Sequence, residues 1–295
     1  MPDHPILPTR REAYPRVLAS NAGWTVVGVG LGLANTIRHR LAGYRNPRPF
    51  GPSDIARNVG YSFDVVDRLR QQGLDPDGLR ILELGPGHDL GTGFILVALG
   101  ADSYTAVDRF PLAAGVDPEF YRALADRLNV GVEATLSRIR YVVGDRSAIT
   151  APDEAFDAFV SNATLEHIED IASAFSWMAS VAGPRALHVH VVDAQTHMRW
   201  VRSRDPWNIL RYPSGLYRLA LSFPGSPNRM LASDYVAEAS RASIRLSVVA
   251  GAEIDAEQLR RVRPFLARDF RARDDDDLRL LTFTLVGEQG SSAAE

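Results

Sequence analysis

The chain of 295 residues carries a formal net charge of −3, contains no cysteine, and its 33 basic residues are all arginine. The missing cysteines exclude disulfides, a thiolate nucleophile and a thiolate zinc site, and they fit a cytoplasmic protein. Without lysine there is no Schiff-base, Walker or general-base lysine, and a charge so near neutral does not indicate a nucleic-acid partner.

Residues 1–52 differ in composition from the rest, so we expect an arm, an apolar helix and a linker ahead of a domain over 53–295. Residues 17–37 contain no charged side chain and are long enough to cross a bilayer. Glycines and polar residues interrupt this segment, which favours a packed or partner-binding helix over a peripheral membrane contact, and either of these over a span. The glycines of 28–32 imitate a phosphate-binding loop, but no acidic residue on a second strand follows them.

After a proline-rich linker, residues 54–73 have the spacing of an amphipathic helix, with Ser53 as the predicted N-cap. Apolar residues recur at intervals of three and four, namely Ile55, Val59, Phe63, Val66 and Leu69. Tyr61 on this helix could cover a ligand, although a core aromatic is the preferred interpretation.

The segment 79–93 predicts a strand, a glycine turn and a helix, which together form the first unit of a nucleotide-binding sheet. The glycines let the backbone approach a ligand closely, and the helix directs unpaired N–H groups towards it. A dinucleotide fingerprint needs a third glycine at the position of Leu90, which argues against a nicotinamide cofactor. Glu83, at the end of the strand, suits an ammonium group better than a pyrophosphate.

The run Glu83-Leu84-Gly85-Pro86-Gly87 resembles motif I of the class I S-adenosylmethionine-dependent methyltransferases. This resemblance implies a Rossmann-like, seven-stranded α/β sheet with helices on both faces, and S-adenosyl-L-methionine as the cofactor. It also implies that Glu83 holds the methionine ammonium and that the backbone of Gly85, Pro86 and Gly87 lies on the carboxylate side.

Two further strands are predicted to contribute cofactor contacts. Residues 103–108 end in Asp108, where a carboxylate can accept hydrogen bonds from two ribose hydroxyls, with Arg109 next to it. A helix is expected over 118–128, and 141–145 has the pattern of the third strand. The family resemblance places Asp145 against the adenine amino group, and the basic Arg146 beside it departs from the family pattern.

Residues 156–167, read as FDAFVSNATLEH, resemble motif IV of the same family, a fourth strand that runs into an LEH segment. The resemblance places Asn162 and Ala163 beside the methionine part of the cofactor and its reactive methyl group. His167 follows at a position suited to a general base, and a histidine that caps or packs the next helix is the alternative.

Residues 186–193 form the predicted fifth strand, after a helix over 171–182. Ligands bind at the carboxyl edge of such sheets, so His197 is a second candidate for substrate contact or proton transfer. A metal site could also be drawn from His190, Asp193 and His197. No fourth ligand of suitable spacing follows, so no metal is predicted.

Residues 198–242 combine aromatic side chains with arginines and do not fit the alternation of strands and helices. We expect either a substrate cap or a homodimer contact here. The piece 228–235 resembles the C-terminal part of bacterial methyltransferases associated with glycan or lipid modification. Residues 243–249 and 278–286 are the predicted last strands, the latter antiparallel, around a helix over 255–268.

The predicted function is methyl transfer from S-adenosylmethionine to a small-molecule, glycan or lipid-linked acceptor by in-line displacement, with oxygen or nitrogen as the first expectation for the acceptor atom. Two alternatives stay open. One is an NAD(P)-dependent oxidoreductase, and the other is a non-catalytic cofactor-binding protein that recruits partners. Peripheral membrane contact through 17–37 and a homodimer are further expectations.

Overall fold

The computed structural model describes residues 22–42, 54–144, 155–223 and 225–290. Asp145 and Arg146 lie outside these ranges, so the predictions made for them stay predictions. Ser53 also lies outside them, and the N-cap predicted there is wrong, because the next residue caps the helix. Among the described residues, Asp54 is the N-cap of the second helix, and its side chain accepts a hydrogen bond from the Arg57 backbone N–H at 3.3 Å.

A seven-stranded sheet forms the centre of the molecule, with the order β3-β2-β1-β4-β5-β7-β6. All neighbouring pairs are parallel except those of β7, which runs antiparallel to both β5 and β6. The strands are β1 Arg80–Leu84, β2 Ser103–Asp108, β3 Ile139–Val143, β4 Phe156–Asn162, β5 Ala182–Asp193, β6 Ile244–Ala250 and β7 Thr282–Gln289. The predicted fold class, including the antiparallel last strand inserted beside β6, is confirmed.

Helices cover both faces of this sheet and extend beyond it. The longer helices are α1 Gly23–Ala42, α2 Ile55–Gln71, α3 Gly91–Ala98, α4 Pro118–Leu128, α6 Ile171–Ser180, α9 Ala232–Arg241 and α10 Ala256–Val262. Shorter ones are α5 Val132–Leu136, α7 Arg199–Arg202, α8 Ser214–Leu216, α11 Arg268–Arg271 and α12 Asp275–Arg279. Single 3₁₀ turns form at Leu165–His167, Asn208–Arg211 and Arg263–Phe265, and a π-helical turn at Tyr217–Leu221.

The apolar core consists of three clusters. One lies between the sheet and α2, α3 and α4, where Phe94 and Tyr104 are fully buried. Another lies on the opposite face beneath α6 and α9 and contains Phe159, Phe175 and Phe283. A third cluster joins the segment after β5 to α10 and α11, away from the sheet.

Glycines bring α3 close to its neighbours. A Cβ atom on Gly93 would overlap the ring of Tyr104 on β2, and one on Gly91 would overlap the Ser62 hydroxyl on α2. These glycines therefore hold the helix against the sheet at the point where its N-terminus meets the glycine turn.

Several predicted boundaries are wrong. β3 starts two residues earlier than predicted and β5 four residues earlier, so Gly183-Pro184 lies inside the strand instead of closing α6. The helix predicted over 255–268 is broken after Val262. Helix α9 packs against β6 and α6 as an ordinary crossover helix. The insertion predicted over 198–242 is therefore shorter and ends before Ala232.

Helix α1 places Gly28 and Gly32 against the protein, together with Trp24 and Val29, and exposes most of its other large apolar residues. Gly28 faces the side chains of Asn208 and Tyr212, and a Cβ atom on Gly32 would lie 2.9 Å from Leu221. The phosphate-loop appearance of these glycines thus has a packing explanation. The outward face carries Val26, Val27, Leu31, Leu33, Ile37 and Leu41, and Val26 is 74% exposed.

Two polar and aromatic contacts fix α1 to the segment after β5. The Asn208 side-chain amide donates a hydrogen bond to the Trp24 carbonyl at 2.9 Å. The His39 ring stacks on Phe223 at a centroid distance of 4.1 Å. No helix in the described part of the chain is both long and apolar enough to span a membrane.

Candidate active site

A large cleft opens at the carboxyl ends of β1, β2, β4 and β5, where the topology reverses direction around β1 and β4. Residues of both family-like motifs line one side of it. The other side is formed by the segment 194–231 after β5. The predicted site residues within the cleft wall are Glu83, Gly85, Pro86, Gly87, Asp108, Arg109, Asn162, Ala163, His167 and His197.

Glu83 ends β1 as a buried carboxylic acid beside the cleft. Its side chain is 3% exposed and accepts a hydrogen bond from the Tyr104 hydroxyl on β2. Burial raises the pKa of Glu83 to about 8, and the Tyr104 hydrogen bond opposes part of that rise. A cation placed next to Glu83 would offset the desolvation cost of its charge, so the site fits an ammonium group.

The glycine turn after β1 is locked against the end of β4. Gly85 has a φ of +65°, and a Cβ atom there would lie 2.5 Å from the Thr164 methyl carbon. The Thr164 hydroxyl donates a hydrogen bond to the Gly85 carbonyl at 3.1 Å. Gly87 has a φ of +79°, but nothing lies within 4 Å of the corresponding Cβ position. The turn is thus tight on its β4 side and open beside the second glycine, which leaves room for a ligand.

Asp108 ends β2 at the same edge of the sheet. Its carboxylate accepts a hydrogen bond from the Phe110 backbone N–H at 2.9 Å. Burial raises the pKa of Asp108, and backbone hydrogen bonds from Phe110, Gly87 and Arg109 oppose this. The Asp108 side chain is therefore held at the strand end, in contact with the Gly87 backbone.

Asn162 and Ala163 lie where β4 leaves the sheet. The Asn162 amide donates a hydrogen bond to the Tyr61 hydroxyl at 2.8 Å, which joins β4 to α2 across the cleft. Ala163 has a φ of +51°, a left-handed conformation that costs an L-residue about 1 kcal/mol or more. Tyr61 is 36% exposed and lines the cleft, so the preferred interpretation of Tyr61 as a core aromatic is wrong.

His167 and His197 meet on the other side of the cleft, with ring centroids 4.8 Å apart. Burial lowers the pKa of His167 and lowers that of His197 to about 4, so both rings are neutral at pH 7. Asp193 lies 3.8 Å from His197 and forms an ion pair with Arg202 at 2.5 Å.

Glu166 completes this group, and the sequence analysis did not select it. Its side chain is 2% exposed, and burial raises its pKa well above the ordinary value. Glu166, His167 and His197 each place one ligand atom within 4.8 Å of the other two. The sequence offered a signal in the LEH segment, where the glutamate directly precedes the histidine.

His190 does not belong to this group, so the metal set drawn from His190, Asp193 and His197 is wrong. The His190 ring is fully buried in β5 and forms a hydrogen bond with the Ser161 hydroxyl at 3.0 Å. Its second neighbour is His188, at 3.3 Å. Side chains alternate between the two faces along a strand, so His190 points to the face covered by Phe175 and Asp193 to the opposite one.

Asn228 and Arg229 connect the segment after β5 to the LEH turn. The Asn228 amide donates hydrogen bonds to the Leu165 and Ile168 carbonyls at 2.9 and 3.0 Å. The Arg229 guanidinium lies 4.2 Å from the Tyr217 ring centre and donates to the Tyr212 carbonyl at 2.7 Å. Both residues line the cleft, and the sequence analysis assigned no role to either.

The sheet order and the position of the cleft define a Rossmann-like methyltransferase fold. A family model described as a methyltransferase domain matches residues 55–221, more than half of the chain. The chain belongs to the class I S-adenosylmethionine-dependent methyltransferases, and S-adenosylmethionine is its cofactor. This finding favours the methyltransferase prediction over the nicotinamide oxidoreductase.

Solved structures with the same general fold are distant in sequence. An S-adenosylmethionine-dependent methyltransferase from Mesorhizobium loti is 17% identical, with 75% of this chain and 95% of that one covered and a TM-score of 0.43. The Haemonchus contortus phosphoethanolamine N-methyltransferase 2, in complex with S-adenosylmethionine, is 14% identical, with 78% and 52% covered and a TM-score of 0.47. The CurJ carbon methyltransferase is 14% identical, with 91% and 67% covered and a TM-score of 0.46. No curated protein sequence matches this chain significantly.

Proposed function

We propose that this methyltransferase modifies a lipid-linked acceptor at a membrane surface, to which α1 attaches peripherally. The observation that carries the proposal is the outward apolar face of α1, directly beside the cleft. A soluble monomer would be expected to turn Val26, Leu31 and Ile37 inwards, whereas in α1 these side chains are exposed and two glycines, Gly28 and Gly32, contact the protein instead.

The segment after β5 extends this apolar surface. Leu219, in the π-helical turn that packs against α1, is 78% exposed, and the neighbouring Leu216 is also exposed. Arg38 and Arg218 are exposed in the same two elements, and α1 contains no acidic residue. An apolar face with flanking arginines suits the boundary of an anionic bilayer, where the side chains enter the acyl region and the arginines meet phosphate groups.

For the cofactor, we assign the contacts along the sheet edge. Glu83 would hold the methionine ammonium, the Gly85-Pro86-Gly87 backbone the carboxylate side, and Asp108 the ribose. Asn162 and Ala163 would lie beside the methionine chain and the reactive methyl group. Arg109, Asp145 and Arg146 complete the proposed adenosine contacts, and of these the family resemblance implies Asp145.

The bound cofactor would supply a methyl group on a sulfonium centre, and an acceptor atom in line with the carbon–sulfur bond would take this methyl group and release the neutral thioether. The protein then has to position the acceptor and exclude water, because charge is dispersed in the transition state. His167 and His197, both neutral at pH 7, can accept the acceptor proton if it leaves early. An acceptor that enters past Phe223 and Arg229 would reach these histidines from the side on which α1 lies.

Flotation of the full chain with vesicles of phosphatidylcholine and phosphatidylglycerol tests the membrane attachment. We expect the wild type to float and Val26→Asp and Leu219→Asp to remain in the dense fraction. Val249→Asp, at an exposed apolar position on β6, is the matched control and should float like the wild type. A wild type that does not float, or a stable dimer dissociated by Val26→Asp, would overturn the proposal, and the dimer would assign this face to a second copy.

A further inference from the structure

We propose that Glu166, His167 and His197 bind one divalent first-row transition ion of the Zn²⁺ type, which holds the oxygen of the acceptor. The ion site stands on these side chains alone. Its role in orienting an acceptor rests on the methyl transfer proposed above. Two imidazoles and one carboxylate are a donor set that such ions prefer over Mg²⁺ or Ca²⁺.

The spacing of the cluster fits an ion better than hydrogen bonds. His197 Nε2 lies 4.0 Å from Glu166 Oε1, which is too far for a hydrogen bond. Ligands about 2.1 Å from a tetrahedral ion are about 3.4 Å from one another. The ligand atoms of the cluster lie within 4.8 Å of each other. Side-chain rotations that move each ligand atom by about 1 Å would bring them to the spacing needed around an ion.

The hydrogen bond made by one ring nitrogen of His167 leaves the other ring nitrogen available to a metal ion. Its Nδ1 atom lies 2.6 Å from the Gly225 carbonyl, which can only accept a hydrogen bond. Nδ1 therefore carries the proton, and the Nε2 lone pair is left for a metal. A backbone carbonyl behind the far ring nitrogen is the usual support of a metal-binding histidine.

Glu166 and His197 keep buried polar atoms that the described residues do not satisfy. Glu166 Oε2 and His197 Nδ1 have no hydrogen-bond partner among those residues, although Glu166 Oε1 accepts a bond from the Asp193 N–H at 3.3 Å. Such orphaned groups are costly in a finished interior. An ion would satisfy Glu166, whereas His197 Nδ1 lies on the other side of the ring from the Nε2 atom that faces Glu166.

Asp193 acts as a positioning residue and not as a fourth ligand. Its carboxylate is paired with Arg202 at 2.5 Å, and its backbone N–H orients Glu166. Three protein ligands leave at least one position of the ion open, as in catalytic metal sites. His167 and His197 line the cleft, so we place this open position towards the acceptor.

An open coordination position on the ion favours an acceptor that carries a hydroxyl group. Coordination of the hydroxyl oxygen favours loss of its proton, and with the ion bound this proton passes to water and not to His167 or His197, because both imidazoles are then ligands. A carbon–oxygen bond then forms as the carbon–sulfur bond breaks, and the electron pair of that bond passes to sulfur, which becomes a neutral thioether. The two positive charges of the ion are then balanced by the Glu166 carboxylate and the deprotonated acceptor oxygen.

Metal analysis of the full chain tests the site without any need for turnover. We expect EDTA-treated protein to take up one Zn²⁺ per chain by calorimetry, and Co²⁺ to give the visible absorption of a site with nitrogen ligands. Glu166→Gln and His197→Ala should each weaken Zn²⁺ binding by about 100-fold or more, beyond the 10- to 100-fold usual for residues behind the ligands. His39→Gln, outside the cluster, should bind Zn²⁺ like the wild type.

Titration of the same samples with S-adenosylmethionine separates the two proposals. Cofactor binding without Zn²⁺ binding, or equal Zn²⁺ binding by all variants, would overturn the metal site and leave the methyltransferase intact. Zn²⁺ binding that the cluster variants lose would support the site even where the lipid acceptor fails. If His197→Ala does not fold, the isosteric Glu166→Gln decides, with native circular dichroism as the fold control.

Discussion

The two sides of the cleft are built in different ways. On the cofactor side, short stretches of chain carry the site, and Glu83, Gly85 and Gly87 lie within one strand–turn unit. On the acceptor side, several contacts that position the site join residues far apart in sequence, such as Asn208 with Trp24 and His167 with Gly225. The residues of the cofactor side can therefore stay the same while those of the acceptor side are substituted, because substitutions on the acceptor side do not alter the turn that the cofactor needs.

The largest expected effect is on the acceptor side, at the buried ion pair of Arg211 and Asp205. The two side chains are fully buried and lie 2.7 Å apart. Arg211→Met leaves a buried carboxylate without its cation, so we expect a loss of about 3–5 kcal/mol in the free energy of unfolding, measured by urea denaturation. The double variant with Asp205→Leu should recover most of that loss.

This substitution also tests whether the two sides are independent. Affinity for S-adenosylhomocysteine, measured by calorimetry where Arg211→Met is folded, should stay within about twofold of the wild type. A parallel loss of cofactor affinity would show that the two sides are coupled and would contradict the comparison.

On the cofactor side, Gly85→Ala should be the most damaging single change. The added methyl group would overlap Thr164 at a φ of +65°, and we expect a loss of about 3 kcal/mol in unfolding free energy together with loss of cofactor binding. Gly87→Ala is the matched control, because it has the same unfavourable φ and no neighbour within 4 Å. It should cost about 1 kcal/mol. Equal losses in the two variants would remove the close approach to Thr164 as the cause.

Cofactor affinity should rise with pH because of Glu83. Its pKa is raised to about 8 by burial, and an ammonium ligand binds the ionised carboxylate, so binding below pH 8 must displace a proton. We expect S-adenosylhomocysteine affinity to rise by about tenfold or more between pH 6 and pH 8, and Glu83→Gln to remove this slope. A wild type without pH dependence would contradict the ammonium contact.

The same pKa has a consequence for stability without ligand. The folded-state pKa of Glu83 lies above its unfolded value of about 4.5. The protonated carboxyl therefore favours the folded state most below that unfolded pKa, and the contribution is lost as pH rises through about 8. Thermal denaturation should show the apo protein losing stability towards alkaline pH more steeply than Glu83→Gln.

The smallest expected effect is that of Asp108→Ala, which removes the proposed ribose contact together with one backbone hydrogen bond of the turn, from Gly87. We expect S-adenosylmethionine affinity to fall by about tenfold or more, the loss of one good hydrogen bond to a charged group. Glu119→Ala, at an exposed position of α4, should leave the affinity unchanged. An Asp108→Ala affinity equal to the wild type would assign the ribose contact elsewhere.

The sheet and the cofactor-binding edge could be predicted from sequence, because the residues that end each strand and those that would contact the cofactor are neighbours in the chain. The run 79–93 and the segment 156–167 contain their turns and functional positions within a few residues, so spacing alone places them. The prediction of S-adenosylmethionine is confirmed, whereas the roles of the individual site residues stay predictions.

The acceptor side could not be predicted, since its geometry depends on which distant segments meet. Nothing in the sequence around His197 indicates that Glu166 lies beside it, and the set of possible ligands drawn from the sequence contained the nearer His190 instead. Asn228 supports the LEH turn from 60 residues away. The direction of α1 was equally hidden, because an apolar helix with glycines does not reveal which face it will bury.

The stack of His39 on Phe223 gives α1 a mechanical link to substrate entry. His39 belongs to the helix with the outward apolar face, and Phe223 lines the cleft. A force that displaces α1 therefore also displaces a wall of the cleft. If α1 binds a bilayer, membrane binding and the displacement of Phe223 would occur in a single step. Turnover would then depend on the surface density of the acceptor in the membrane and not on its bulk concentration.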